Sequence, residues 1–412
     1  MTAGPDDRTH GGRAIGATVL AFLVTMMGTT LPTPLYAIYA TELGFDDLTV
    51  TVLFAVYAFG VVVTLLLFGR LSDDLGRRPV LLLAVGLALA SALLFLLPPT
   101  LPGLIVARVL SGLGAGLMSG AGTAAVIDLF PADRKVTAGT VAIAANTGGL
   151  ALGTLFSGVI ADTAPAPLVV PYAAQTVLAV LALAGLRAFT PAPGPHGRPR
   201  VRPHRLHVPP AVRGAFTLAV LSAGTAFAVT GVLTAVSALF LEHSLGLRSH
   251  TLAGLVVCLA FAGMAVGQLL ARRLRPATAL PIGCAGLVLA AGVLALALAA
   301  TSLAALLTAP VVLGVAGGLC LNAGIATTVG QVEPARRGEV SSSFFAGLYC
   351  MLAVPAVGVG VLSELTDLRT AGLVFAAAVA VLAATVGAVA ATGAHRASTA
   401  QPPGAPPPPS PL

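Results

Sequence analysis

Residues 69–79 read GRLSDDLGRRP and lie between two apolar runs, VTVLFAVYAFGVVVTLLLF at 50–68 and VLLLAVGLALASALLFLL at 80–97. Each run has about the 20 apolar residues needed to cross roughly 30 Å of hydrocarbon. The charged stretch between them is too short to fold by itself, so the three pieces read as two membrane helices joined by a tight polar loop. Runs of the same kind recur on both sides. They place spans near 14–38, 50–69, 79–97, 102–127, 136–161 and 168–189, and again near 214–241, 250–271, 277–300, 302–328, 340–363 and 370–393.

Composition points the same way. The 412 residues are 57% hydrophobic and only 9% charged, with a mean hydropathy of +0.97, whereas soluble domains carry about 25% charged residues. Such a chain needs lipid as its solvent, and no separate soluble domain fits between the spans. The expected fold class is an all-α integral membrane protein, with twelve transmembrane helices in two pseudo-symmetric six-helix bundles. The start, MTAGPDDRTHGGR, runs directly into the first apolar segment without a small-residue cleavage site, so the first helix is expected to be retained. Cys258, Cys284, Cys320 and Cys350 all fall inside predicted spans. They read as small apolar packers rather than disulfides or zinc ligands.

Lys and Arg collect in cytoplasmic loops, so their distribution orients the chain. Arg70, Arg77, Arg78, Arg134, Lys135, Arg272, Arg273, Arg275, Arg336 and Arg337 lie in alternate loops, and the basic residues of the tails and central linker fall on the same side. Of 22 Lys and Arg, only Arg248 and Arg369 occupy opposite loops, and Arg108 alone lies within a span. Both termini are therefore expected in the cytoplasm, in a multi-pass protein of the cytoplasmic (inner) membrane. The net charge of +7 is spread over alternating loops, so it reflects membrane topology and nucleic acid is not an expected partner.

Residues 190–213, TPAPGPHGRPRVRPHRLHVPPAVR, mix Pro, Arg and His without an apolar face and read as a cytoplasmic connector. The expected organisation is thus a tail at 1–13, a first bundle at 14–189, this linker, a second bundle at 214–393 and a Pro-rich, disordered tail at 394–412. An internal repeat supports two halves. DLFPADRK and QVEPARRG match with Pro131 and Pro334 203 residues apart, while GRLSDDLGRRP has a worn counterpart, GQLLARRLRP, with Gly69 and Gly267 198 apart. In that alignment Ala271 stands where the first copy has Asp73. Paired repeats place a site at their interface near the bilayer midplane.

GRLSDDLGRRP at Gly69 to Pro79 resembles the signature between helices 2 and 3 of the major facilitator superfamily. The twelve spans, the long central linker and the weak second copy extend the resemblance over roughly residues 14–393. It implies the major facilitator fold and secondary transport. It also implies a conformational latch of Gly69, Asp73, Gly76, Arg77, Arg78 and Asp128, in which Asp73 faces the N-terminus of helix 11 and is linked through Arg77 to Asp128. The alternative for this charged loop is a solvated ion pair that serves orientation alone.

RVLSGLGAGLMSG in helix 4 resembles the family's arginine-plus-glycine pattern. Arg108 would sit on the order of 10 Å inside the predicted boundary, where an unpaired guanidinium should face protein or a water-filled cavity, with snorkelling to the surface as the alternative. Its implied job is proton coupling or contact with substrate charge. Gly112, Gly116 and Gly120 recur every fourth residue and read as close helix packing. GGLALGTLFSG in helix 5, with Gly149, Gly153 and Gly158, resembles the glycine-rich motif of the antiporter branches, although Thr154 replaces the usual Pro; plain packing is the other reading.

Tyr57, Asn146, Asn322 and Tyr349 fall within helices 2, 5, 10 and 11 and are candidates for the lining of a transport cavity, each with an interhelical hydrogen bond as its structural alternative. Thr25, Thr29 and Thr30 are expected to bond their own helix. All 15 acidic residues lie in tails, loops or helix ends. There is no phosphate-binding loop, metal cluster or expected cofactor, and no constellation suited to an enzyme. The leading expectation is a monomeric, proton-coupled exporter of a small molecule. Nutrient uptake by symport, a membrane sensor on the same scaffold and an intramembrane lipid enzyme are the alternatives.

Overall fold

The computed structural model describes residues 5–69, 71–190, 209–333 and 336–399. Most of the predicted linker and the end of the Pro-rich tail lie outside the described residues. Among the described residues, twelve helices are long and apolar enough to cross a membrane. In chain order they are α1 (Gly11–Leu43), α2 (Asp47–Phe68), α3 (Arg77–Phe95), α4 (Leu101–Leu129), α5 (Ala132–Thr163) and α6 (Val170–Phe189). The second set is α7 (Arg213–Glu242), α8 (His250–Ala271), α9 (Pro276–Ala299), α10 (Leu303–Gln331), α11 (Arg337–Leu365) and α12 (Leu368–Thr392).

The first span runs farther than its composition suggests because it is not one straight helix. Pro32 and Pro34 interrupt the backbone ladder, a 3-10 turn forms at Thr33–Leu35, and a second helical piece continues over Tyr36–Leu43. Gly44, in the left-handed conformation at φ 66°, ends it.

Most helices that start on the face opposite the basic loops share one kind of beginning, α6 after Val169 being an exception. Asp46, Thr100, Ser249 and Ser302 precede α2, α4, α8 and α10, and each side chain accepts an N–H three residues on. These caps satisfy donors that would otherwise be orphaned where the helix dipole is positive.

The two halves meet where α2 packs on α11 and α5 packs on α8. Glycines fix the repeat register. Gly60 approaches the Val109 carbonyl of α4, and Gly263 approaches the Val311 carbonyl of α10, 203 and 202 residues later. Gly112 lies against the Tyr57 carbonyl, and Gly314 lies against the Ala260 carbonyl. At the basic face, Gly69 of the first half abuts Ser342, while Arg272 of the second half abuts Gly139, again 203 residues apart for each pair.

This register corrects the sequence alignment. Gly267 packs on α10 within its own half, so it is not the counterpart of Gly69. That place belongs to Arg272, and Pro276 rather than Ala271 corresponds to Asp73. The two loops resemble each other in charge, but helix contacts set the register.

Candidate functional site

Arg108 lies in α4 and is 1% exposed. Its position follows from the helix below it. Gly112, one turn on, has no side chain to keep α4 away from the Tyr57 carbonyl and Gly60 of α2, so the two backbones touch. The guanidinium is thereby brought over the Tyr57 ring, 4.7 Å from its centroid, and 6.0 Å from the centroid of Tyr36. Its Nη1 donates to the Thr29 carbonyl at 2.7 Å, and its Nε to the Leu53 carbonyl at 3.3 Å. Thr29 is in the last turn of the helical piece that ends at Thr30, where carbonyls lack an intrahelical donor.

No carboxylate pairs with Arg108 among the described residues. Backbone dipoles and aromatic faces bear the charge instead. The side chain is enclosed by protein rather than extended to the surface.

From Tyr57 the aromatic contacts cross to the other half. Tyr57 meets Tyr349 of α11 edge-on at 6.4 Å, and Tyr349 meets Phe227 of α7 at 6.0 Å. The charge is confined to the first half. At the repeat register, Ala260 stands for Tyr57 and Pro310 for Arg108, while Tyr349 corresponds to Asn146. Asn146 and Asn322 are half-buried and have no hydrogen bond to the protein, so neither is taken up by an interhelical bond and neither joins the Arg108 cluster.

Some of the residues expected to form a latch are in contact with one another. Arg77 Nε lies 3.1 Å from Asp128 Oδ2, Arg77 Nη1 donates to Ser72 Oγ at 2.7 Å, and Arg78 Nη2 donates to the Arg187 carbonyl at 2.7 Å. Gly76 adopts φ 87°, a conformation that favours glycine, and so permits the turn into α3. A side chain at Gly69 would meet Ser342 Oγ at 2.7 Å. The side chain of Asp73 lies outside the described residues.

The packing glycines divide by neighbour. Gly116 faces Thr64, while Gly149 and Gly153 face the backbone of α1 at Leu23 and Met27. Gly158 faces the His250 carbonyl across the half-to-half interface. Gly120 has open space beside it, so the four-residue period in α4 is a packing stripe only as far as Gly116. Thr25 and Thr29 bond their own helix, and Thr30 bonds both the Met27 carbonyl of its own helix at 3.4 Å and the Leu150 carbonyl of α5 at 2.8 Å.

Two groups had no sequence signal. Tyr36 follows a Pro-rich turn whose path no local rule gives. Asp162, at the end of α5, accepts hydrogen bonds from Ser249 Oγ at 3.0 Å and from the backbone N–H groups of His250 and Thr251, each at 2.9 Å. On the same face Ser363 of α11 donates to Asp47 of α2 at 2.7 Å. At the basic face Arg272 donates to Thr140 at 2.8 Å. The halves are thus bridged at both ends. Beside the Asp162 contact is a cavity of about 280 Å³ lined by Ala37, Thr41, Glu42, Ala238, Glu242 and His250.

Comparisons with known proteins agree with this architecture. The structure resembles that of a bacterial homolog of the human lysosomal transporter Spinster, with a TM-score of 0.67 and 15% identity over 96% of this chain and 99% of that one. The nucleoside transporter NupG gives a TM-score of 0.67 at 14% identity over 91% and 99%. At the sequence level, MdtD of Klebsiella pneumoniae (strain 342), a protein named for multidrug resistance, is 30% identical over 151 residues, 37% of this chain and 31% of the relative. An uncharacterized MFS-type transporter of Mycobacterium tuberculosis is 31% identical over 147 residues, 34% of this chain and 25% of that protein. The aligned stretches span only about a third or less of these relatives' own length. The model of the Major Facilitator Superfamily matches residues 18–353. With twelve membrane-length helices in the fold of known transporters, the chain belongs to the Major Facilitator Superfamily.

Proposed function

We propose that the chain is a secondary active transporter that carries a small molecule out across the cytoplasmic membrane by alternating access, coupled to protons. The observation that carries this reading is the charged aromatic seam of Arg108, Tyr57 and Tyr349 between two halves that are bridged at both ends. Such a seam is reached from one side only when the bridges of that side release, which is the requirement for alternating access. The basic face, with both termini and the linker at 190–213, is assigned to the cytoplasm on the distribution of Lys and Arg.

The Arg77–Asp128 pair and the Gly69–Ser342 approach are assigned to closure of the cytoplasmic face. The residues that open and close the carrier would then be distinct from those that hold its cargo. The name of the MdtD relatives favours export over uptake.

The reading is tested in everted vesicles from cells producing the chain, energised to an acid lumen. Addition of a transported solute should alkalinise the lumen and concentrate the solute there, and a protonophore should abolish both. Solute binding with no accumulation under an imposed gradient would instead identify a sensor.

A further inference from the structure

We propose that Arg108, with Tyr36 beside it, binds the acidic group of an amphipathic organic monoanion, with a carboxylate as its simplest form. This rests on the reading of the chain as a carrier and names the class of its cargo. The first observation is a surplus of donors. A guanidinium has five N–H groups, and the bonds to Thr29 and Leu53 use one on Nη1 and one on Nε. One hydrogen on Nη1 and both on Nη2 remain without a protein acceptor. These three are available to bond the oxygens of a carboxylate.

The second observation is independent. Tyr36, whose ring lies 6.0 Å from the Arg108 carbon, is 2% exposed, and its hydroxyl has no hydrogen-bond partner in the protein. Buried polar groups are nearly always satisfied, so an orphaned hydroxyl beside an under-used guanidinium marks a place for a further group. Both can donate, and an acceptor-rich group satisfies both together.

Charge selects the sign. All acidic residues of the chain lie at helix ends, in loops or in tails, and the described ion pairs are Arg77–Asp128, Arg248–Glu242 and His250–Asp162. The charge of Arg108 at membrane depth is therefore balanced by dipoles and rings but by no counter-ion, an arrangement that is costly in low dielectric. A bound anion would cancel it, and a bound cation would add to it.

The rings define the rest of the ligand. Tyr57, Tyr349 and Phe227 continue from Arg108 into the second half, where Pro310 and Ala260 replace the charged pair. An apolar or aromatic body would lie along this seam with its anionic end toward the first half.

The test uses three isosteric probes on the full chain in lipid nanodiscs: naphthalene-2-carboxylate, naphthalene-2-carboxamide and 2-naphthylmethylamine. Affinity is read from ligand-dependent thermal stabilisation, and exchange of the labelled probes is followed in proteoliposomes. The carboxylate should bind at least about tenfold more tightly than the amide or the amine, as expected where buried donors are otherwise left unpaired. Arg108→Gln should erase that preference.

Equal affinities, a preference for the amine, no carboxylate binding, or a preference that survives Arg108→Gln would each overturn the proposal. The comparison of probes on the unsubstituted protein decides the matter even where Arg108→Gln fails to insert. Carboxylate binding without exchange would refute the carrier and leave the anion site standing. Exchange of the amine with no carboxylate preference would do the reverse.

Discussion

The carboxylate of Asp162, in the last turn of α5, accepts the backbone N–H of His250, the first residue of α8, at 2.9 Å. One half of the molecule thereby caps a helix of the other, and the neighbouring N–H of Thr251 and the ring of His250 add to the same carboxylate. Hydrogen bonds to a charged group contribute about 1.5–3 kcal/mol each when formed well, so this contact biases the closure of the face away from the basic loops. Asp162→Ala should shift the carrier toward opening on that side. In a cysteine-free background, Ala238→Cys in the adjacent cavity should then react with a hydrophilic maleimide roughly tenfold faster. Equal rates with and without Asp162 would assign the contact to loop packing.

Gly112 and Gly120 are two turns apart in α4 and differ only in what they face. An added methyl at Gly112 would collide with the Tyr57 backbone carbonyl, which cannot swing aside, and one at Gly120 would enter open space. Gly112→Ala should lower the melting temperature in nanodiscs and displace Arg108 from its ring, with a cost on the order of 1–3 kcal/mol. Gly120→Ala should leave stability unchanged or slightly raised, as alanine is the better helix former. A large loss at Gly120 would mean that another surface covers it.

The Tyr57 ring lies 4.7 Å from the Arg108 carbon, and a desolvated cation over an aromatic face gains about 2 kcal/mol. Tyr57→Leu should remove that gain and destabilise the fold by roughly this amount, with a further penalty from the charge left behind. Tyr57→Phe, which keeps the ring, should retain most of it. Denaturant unfolding of both variants checks the order, and equal losses would show that the hydroxyl rather than the ring supports Arg108.

Orientation has its own measurement. Ala132 is exposed at the start of α5, and Ala300 is exposed in the connection after α9. Single cysteines there should label from opposite sides of intact cells, Ala132→Cys only after permeabilisation and Ala300→Cys without it. The reverse pattern would invert the assignment of the basic face to the cytoplasm and with it the direction of transport.

The sequence by itself determined the number of spans, because crossing a bilayer is a local demand: each segment must be apolar over about 20 residues and satisfy its own backbone. It also singled out Arg108, since a lone guanidinium among apolar residues stands out wherever it falls. The repeat was legible in outline, but its register was not. Gly267 looked like the partner of Gly69 from the charges that follow both, and only the packing of Gly267 on α10 showed that Arg272 occupies that place.

The partners of Arg108 were likewise decided by tertiary structure. The carbonyl of Thr29, the carbonyl of Leu53 and the rings of Tyr36 and Tyr57 come from two helices separated in sequence from α4, and a backbone carbonyl carries no mark in the residue code. The same holds for Asp162. Its role depends on α8 of the other half starting within hydrogen-bond reach, a distance set by the glycine contacts of Gly158 and Gly254 between the halves and not by anything adjacent to it in the chain. Periodicity reports which residues share a helix face, but only the neighbouring helix determines whether that face meets lipid, another backbone or the seam between the halves.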